Sequence, residues 1–196
     1  HHRFVLEGAR DVQQSLLGKG FDYRFHLERV GDPPILKQLT HKAALLITEN
    51  MPTPPIRGWV SALAAIEGAA IWAVDSACLV SLEASTKRYT RAFAFRDGMA
   101  DERESALASP YPVVDLPPPN AADPQLLTSI DLANANLDEL IDSCPIDHTI
   151  PPVRDTPGGS RAGYARWTAF VHNAIRSYHR HRNDPNLHGV SRMSAY

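Results

Sequence analysis

The sequence predicts an α/β protein: a Rossmann-like parallel α/β domain, an extended linker and the start of an all-helical domain. Between residues 4 and 83 the apolar residues alternate between helix and strand spacings. Units of this length favour a parallel sheet with right-handed crossovers. A proline-rich stretch follows residue 108, and from residue 160 apolar residues recur at helical spacing. The predicted domains are 1–96, 97–157 and 158–196.

The first domain is predicted to contain helices separated by three strands. The first helix has one apolar face, formed by Val5, Ala9, Val12 and Leu16. Because proline is tolerated in a first helical turn, Pro33-Pro34 and Pro54-Pro55 are expected to begin two more helices. Strands are predicted at 21–27, where apolar and polar residues alternate, and at the apolar runs 44–49 and 70–75.

The linker is predicted from its prolines. Residues 85–107 before it are rich in charged and helix-forming residues, so we expect them to be mostly helical. Residues 109–124 hold six prolines in sixteen positions, which is typical of an extended connector. A short helical part is expected near 126–142, and 145–159 is predicted to be extended again. The leucines and isoleucine available for packing there are Leu132, Leu137, Leu140 and Ile141.

A long helix is predicted over residues 160–182. Ser160 is its predicted N-cap, and Asn183-Asp184-Pro185 ends it, because proline disfavours helix in the residue before it. One wide apolar face is formed by Tyr164, Trp167, Phe170, Val171, Ala174, Ile175 and Tyr178.

The composition narrows the class of protein. The 196 residues carry a formal net charge of −2, which is not the balance of a general nucleic-acid binder. Arginines and histidines are nonetheless concentrated between residues 154 and 192, a pattern compatible with a phosphate-bearing partner. Cys78 and Cys144 provide neither a disulfide framework nor a metal-binding spacing. No run of about 20 apolar residues is present, and we expect a cytoplasmic protein without a membrane segment.

The end of the chain contains residue types that can hold a phosphate-bearing aromatic cofactor. Tyr178 offers a ring for stacking, and a cluster of arginines and histidines follows it. Ser191 and Ser194 offer hydroxyls in a loop where Gly189 permits close approach of the backbone. Two alternatives remain open: Tyr178 as a core residue, and Arg182 as a surface residue that stabilises the carboxyl end of its helix.

Two other kinds of site are not favoured. His179 and His181 have no third ligand in view, so no metal site is predicted. A hydrolytic triad could draw on Ser76, Ser81, Asp147 and His148, but the chain contains no Gly-x-Ser-x-Gly nucleophile elbow.

The carboxyl-terminal motifs resemble the entrance to the FAD-binding domain of the photolyase/cryptochrome flavoproteins. In that family a Pro-Gly-Gly segment, here 157–159, opens a helix that ends in a Tyr followed four residues later by Arg, as Tyr178 and Arg182 are here. A loop of the form Thr-Ser-Arg-Leu-Ser then wraps the FAD phosphates, and Val190-Ser191-Arg192-Met193-Ser194 matches it. Val190 departs from the family, which often has Thr at this position, so one possible phosphate-facing hydroxyl is missing.

The amino-terminal part resembles the class II-type branch of the same family. The matching segments are Arg3-Phe-Val-Leu-Glu-Gly8 and residues 89–96. The resemblance implies an antenna-type α/β domain over 1–96 and the beginning of a helical FAD-binding domain over 158–196. It also implies that the chain is a fragment that lacks the first strand and most of the FAD-binding domain.

The resemblance implies a deoxyribodipyrimidine photolyase, a lyase that uses light and FAD to repair pyrimidine dimers by electron transfer. It implies DNA contact by Arg182 and no catalytic residue in this part of the protein. The implied FAD contacts are Tyr178, Val190, Ser191, Arg192, Met193 and Ser194.

The remaining expectations concern partners and rival functions. The implied partner is damaged DNA, and no membrane partner is implied. The intact protein is expected to be a monomer that carries an antenna chromophore of unspecified identity. One alternative is a cryptochrome-type flavin photoreceptor without repair activity. The other is an unrelated small α/β binding module, which would hold no flavin. The fragment alone is expected to be inactive.

Overall fold

A computed structural model gives the fold of the chain as two compact units. It describes residues 1–66, 68, 70–85, 87–109, 111–112, 114–115, 117, 127–184, 186–187 and 189–193. His1–Val30 and Pro117–Tyr196 form the first, which we call the terminal unit, and Gly31–Leu116 forms the second, the central unit. The predicted domains 1–96, 97–157 and 158–196 stay a prediction.

The described residues mix helices with a small sheet. In chain order the elements are α1 (His2–Gly18), α2 (Ile35–Lys42), β1 (Leu45–Glu49), α3 (Ile56–Ala64), β2 (Ala70–Val74), α4 (Ala92–Gly98), α5 (Ala100–Ala108), α6 (Leu137–Asp142), α7 (Ser160–Asn173) and α8 (Tyr178–His181). Short 3-10 helices lie at Leu82–Ala84 and Ile175–Ser177. In the described part of the chain, no helix has the length and apolar character that crossing a membrane requires.

The central unit contains the parallel sheet that the sequence predicts. Strands β1 and β2 confirm the predictions at 44–49 and 70–75, and they pair in parallel with Leu45 opposite Ala70 and Glu49 opposite Val74. Helix α3 connects them, since parallel strands cannot be joined by a tight hairpin, and it packs against α2 and β2. The chain is thus compatible with an α/β fold, while the finer Rossmann-like description stays a prediction.

The predicted strand at 21–27 is wrong. These residues run beside 127–130 in the terminal unit, where the backbone nitrogen of Ile130 donates to the Phe25 carbonyl oxygen at 2.9 Å. The Phe25 nitrogen donates instead to the Ser129 hydroxyl, at 2.9 Å. In a ladder the Phe25 nitrogen would donate to a backbone carbonyl oxygen of the neighbouring strand. Here it donates to a side chain, so the two segments form no ladder. The prediction of alternating helices and sheet strands over residues 4–83 is therefore wrong in its amino-terminal part.

The core of the terminal unit joins α1 to the chain around α6. Leu6 of α1 packs with Leu132 and Leu137, which are 0% and 2% exposed, and Phe25 lies against this cluster. The prediction that Leu132 and Leu137 pack is confirmed. Burial of each leucine contributes roughly 1.5–3 kcal/mol. Part of the predicted linker therefore forms one side of this core. In the described part of 109–157, α6 is the helix.

Helix α1 presents polar groups to this wall. Gln13 is 2% exposed, donates to the Ile130 carbonyl oxygen at 3.0 Å and accepts from the Leu132 nitrogen at 2.8 Å. The Arg10 guanidinium donates to the Leu132 carbonyl oxygen at 2.6 Å. These hydrogen bonds satisfy backbone groups of Ile130 and Leu132, which belong to no sheet.

The apolar face predicted for α1 is consequently only partly correct. Val5 and Val12 are 49% and 40% exposed, whereas Leu6 and Gln13 are the buried residues of the helix. The buried face of α1 therefore contains Leu6 and Gln13. The segment that it covers, around Leu132, needs hydrogen-bond partners as well as apolar contact.

The predicted helix over 160–182 is interrupted. Helix α7 ends at Asn173, and Ala174 leaves the helical conformation with φ −130°. A 3-10 helix over Ile175–Ser177 follows, and α8 begins at Tyr178. The predicted helix over 85–107 is likewise confirmed only from Ala92 onward, as α4 and α5.

Candidate functional site

The interruption after α7 determines the position of the Tyr178 ring. At the first position of α8, this ring meets Phe170 edge to face, with ring centroids 5.6 Å apart. Phe170 is the buried aromatic of α7 and also contacts Trp167 at 5.9 Å. Tyr178 stays 39% exposed. Tyr178 therefore packs against Phe170 while part of its side chain stays accessible, and its role in stacking on a cofactor stays a prediction.

The loop over residues 189–193 follows α8 and passes close to it. Gly189 is buried, and a Cβ at this position would lie 2.5 Å from Nδ1 of His181. The absence of a side chain thus lets the loop pack against His181, whereas a close approach to a phosphate stays a prediction. Val190 is 36% exposed, and the Ser191 hydroxyl accepts from the Met193 nitrogen at 3.3 Å. Ser194 lies outside the described residues.

Arg192 is the residue of this loop whose side chain forms an ion pair. It has a left-handed backbone with φ 54°. Its Nη1 and Nη2 both lie 3.1 Å from Oδ2 of Asp155, and Nη2 also donates to the Thr156 hydroxyl at 3.3 Å. The Arg192 guanidinium holds the pKa of the Asp155 carboxyl below its usual range. The sequence signal for this pair was weak, because both residues stand in irregular segments.

An open pocket lies between the loop and the first turns of α7. It has a volume of about 390 Å³ and is lined by Ser160, Gly163, Tyr164, Trp167 and Met193. Tyr164 is 72% exposed and Trp167 45%. The structure thus brings Met193 beside two aromatic rings of α7 that were predicted as a packing face. Tyr178 is not among the residues that line this pocket.

The amino end of α7, a position where anions often bind, already holds a carboxylate. The Arg161 nitrogen donates to Oδ2 of Asp11 at 2.9 Å, and the Arg161 side chain pairs with Oδ1 of the same residue. These bonds keep the pKa of Asp11 low, chiefly through the Arg161 backbone amide. The predicted N-cap at Ser160 is wrong: the N-cap is Gly159, and Asp11 of α1 supplies the capping oxygen.

The Pro-Gly-Gly segment is explained by this junction. The Gly158 nitrogen donates to Oε2 of Glu7 at 2.7 Å, and a Cβ on Gly158 would overlap the carbonyl oxygen of Phe4. Gly159 has φ 103°. The two glycines therefore let α7 begin in direct contact with α1.

Arg182 lies at the end of α8 with its side chain exposed. Its backbone nitrogen donates to the Tyr178 carbonyl oxygen at 2.9 Å. The four-residue spacing of the sequence motif therefore corresponds to one helical turn. Arg176, Arg180 and His179 on the same short helices are also exposed. Within the described ranges, no group of three histidine, cysteine, aspartate or glutamate side chains is arranged to hold a metal ion.

Comparison with known proteins gives one informative likeness. No protein-family model matches the chain. The sequence is 23% identical over 198 residues to a deoxyribodipyrimidine photo-lyase of Methanothermobacter thermautotrophicus. That alignment includes the whole of this chain and 42% of the photo-lyase, so the chain spans less than half the length of this relative. The likeness supports a distant relationship to the photolyases.

Proposed function

We propose that this chain forms part of a light-driven, FAD-dependent lyase that repairs pyrimidine dimers in DNA. The observation that carries the proposal is the similarity along the whole chain to a protein named deoxyribodipyrimidine photo-lyase. The order of its carboxyl-terminal motifs supports the same conclusion, since Tyr178, Arg182 and the loop 189–193 follow one another within sixteen residues.

The residues of the terminal unit fit a cofactor that combines an aromatic system with phosphates. The Tyr178 ring is partly exposed for stacking, and in the loop that follows it Val190 is exposed and Arg192 carries a positive charge. The Ser191 hydroxyl, which accepts from Met193, still has its own hydrogen to donate to a phosphate oxygen. FAD, when bound, supplies the light-driven electron transfer, and this chain contributes binding and electrostatics.

In this proposal each part of the candidate site has a separate task. Val190, Ser191, Arg192, Met193 and Ser194 bind the phosphate-bearing side of FAD, and Tyr178 orients its aromatic part. Arg182 is exposed one turn after Tyr178, where its fixed positive charge binds the DNA backbone without reading base sequence. Damaged DNA is thus the proposed partner, and a cytoplasmic monomer with an antenna chromophore is the proposed context.

The test uses the protein expressed from its complete reading frame, whatever that frame encodes on either side of the chain. Replacing Ser191→Ala together with Ser194→Ala removes two hydroxyl contacts to a charged phosphate. Each contact contributes roughly 1.5–3 kcal/mol, so the loss of both should lower FAD affinity at least about a hundred-fold. The flavin content that remains after extensive dialysis measures this loss.

The control is Thr168→Ala, which removes an exposed hydroxyl from α7 and should leave the flavin content unchanged. Equal flavin content in the serine variant and the unmodified protein would remove these serines from the site. A purified protein without flavin, or one that holds flavin but leaves dimers in irradiated DNA under light, would contradict the proposed function itself.

A further inference from the structure

The ion pair between Arg192 and Asp155 places a negative charge inside the candidate phosphate site. Both Nη atoms of Arg192 contact the same oxygen of Asp155, and the Thr156 hydroxyl accepts a further bond from Arg192. These groups stand where an anionic ligand of the loop 189–193 would meet the guanidinium, because Arg192 is the one cation within that described loop.

The pair is built so that its partners can separate. The side chains of Arg192 and Asp155 are 51% and 65% exposed, and exposed pairs of this kind contribute little because water competes for both charges. The backbone of Asp155 is held independently, since its carbonyl oxygen accepts from Arg166 of α7 at 3.0 Å. The carboxylate can consequently release Arg192 while its own segment stays attached to the helix.

We propose that Asp155 is an internal competitor for the anionic ligand of the loop 189–193: its carboxylate occupies Arg192 until a phosphate group replaces it. Asp155 is thereby a positioning residue, which holds the Arg192 side chain toward the site and sets a threshold for anion binding. The identity of the ligand as FAD rests on the proposed function, whereas the exchange at Arg192 applies to any phosphate-bearing anion.

The experiment titrates inorganic pyrophosphate into the 196-residue chain by calorimetry at low ionic strength. Asp155→Asn keeps the size of the side chain and removes the competing charge. We expect it to tighten pyrophosphate binding about two- to five-fold, the range of an exposed ion pair. Asp155→Glu restores a carboxylate and should bind pyrophosphate like the unmodified chain.

Two further variants isolate the role of Arg192. Asp184→Asn removes the same charge from the same part of the chain, where Asp184 accepts from the Asn186 nitrogen and an asparagine oxygen can accept that bond too. It should change pyrophosphate affinity by less than Asp155→Asn does. Adding Arg192→Gln to Asp155→Asn should abolish the gain, because the freed cation is then missing. Far-ultraviolet circular dichroism verifies that each variant keeps the fold.

The outcomes separate this inference from the proposed function. An unchanged affinity in Asp155→Asn, an equal gain in Asp184→Asn, a gain that survives Arg192→Gln, or no pyrophosphate binding by any variant would overturn the competition. The same variants are then tested with FAD in the protein from the complete reading frame. If the pyrophosphate pattern is obtained but no variant binds FAD, the proposed function fails and the competition at Arg192 stands.

Discussion

Gly159 has a backbone conformation that almost no other residue adopts. Its φ of 103° and ψ of 157° fall in a region essentially restricted to glycine. A Cβ there would also lie 3.0 Å from the Cβ of Asp11. The residue type at this position is therefore required by the start of α7, whether or not a cofactor binds nearby.

We expect Gly159→Ala to lower the free energy of unfolding by about 1–3 kcal/mol, the cost of holding a non-glycine residue in this conformation. Gly18→Ala is the matched control, because no atom lies within 4 Å of a Cβ there and Gly18 is the last residue of α1. The control should be neutral or stabilise the chain by up to about 1 kcal/mol. Urea denaturation measures both, and equal stabilities of the two variants would contradict the strain at Gly159.

Ser191 and Arg192 illustrate how a single residue can depart from its motif-based role. The motif assigns both to one phosphate-facing loop. The structure leaves a hydrogen of the Ser191 hydroxyl for donation but directs the Arg192 guanidinium to Asp155. A residue matched by sequence can thus be present at the right position while its charge is already compensated by a neighbour.

At the scale of elements, the junction of α1 with α7 organises the terminal unit. Asp11 of α1 accepts from the first-turn amide of α7 and pairs with the Arg161 side chain, and Gln14 accepts from the same guanidinium at 2.6 Å. The side chain of Asp11 is 12% exposed. A helix cap is therefore supplied across the fold by another helix, rather than by the residue that precedes α7.

We expect Asp11→Ala to lower the free energy of unfolding by about 1–2 kcal/mol at neutral pH, the usual cost of losing a capping side chain. The pKa of Asp11 in the folded protein is lowered from its ordinary 3.8, chiefly by the Arg161 amide. A carboxyl with a depressed folded pKa stabilises the protein above its unfolded pKa. That stabilisation is lost as the pH falls through the lower, folded value.

The difference between Asp11→Ala and the unmodified chain should consequently be constant at neutral pH and shrink as the pH falls below 3.8. Chemical denaturation at a series of pH values measures it. Asp142→Ala, which removes an exposed carboxylate from the same unit, is the control for the loss of one carboxylate. A difference between Asp11→Ala and the unmodified chain that is independent of pH down to full protonation would refute the capping role of the carboxylate.

At the scale of the whole molecule, the exposed aromatic residues limit what the chain can do alone. Tyr164 and Trp167 of α7 are 72% and 45% exposed, and the pocket beside them is open. Sites for small ligands and cofactors usually bury at least 70% of the ligand surface. The described walls of this pocket would therefore cover a bound cofactor on too few sides to hold it tightly.

We expect the isolated 196-residue chain to bind FAD more weakly than micromolar and to leave pyrimidine dimers unrepaired. Quenching of flavin fluorescence during a titration measures the binding, and loss of dimers from irradiated DNA under light measures the repair. Micromolar or tighter binding, or light-dependent repair, would show that the described walls suffice.

Part of this fold could be predicted because it depends on local pattern. The apolar runs that form β1 and β2, the start of α3 after Pro54-Pro55 and the packing of the leucines at 132 and 137 were all predicted correctly. A continuous apolar run favours a parallel strand, and β1 and β2 do pair in parallel. The burial expected of such runs is not observed, because Ile47 and Trp72 are 61% and 62% exposed. The residues of the candidate site, which follow the order of a known motif, stay a prediction.

The sequence by itself therefore determined the two strands that pair in the sheet and most of the helical segments, and it predicts which side chains contact a phosphate. Only the tertiary structure decided which distant groups meet: residues 21–27 beside 127–130, Asp11 at the start of α7, and Asp155 on Arg192. The physical reason is that periodicity reports that a face is buried, but not what covers it. Asp11 and Arg161 are 150 residues apart, and Asp155 and Arg192 are 37 apart. Charge pairs at such separations form only when the folded backbone has brought them together.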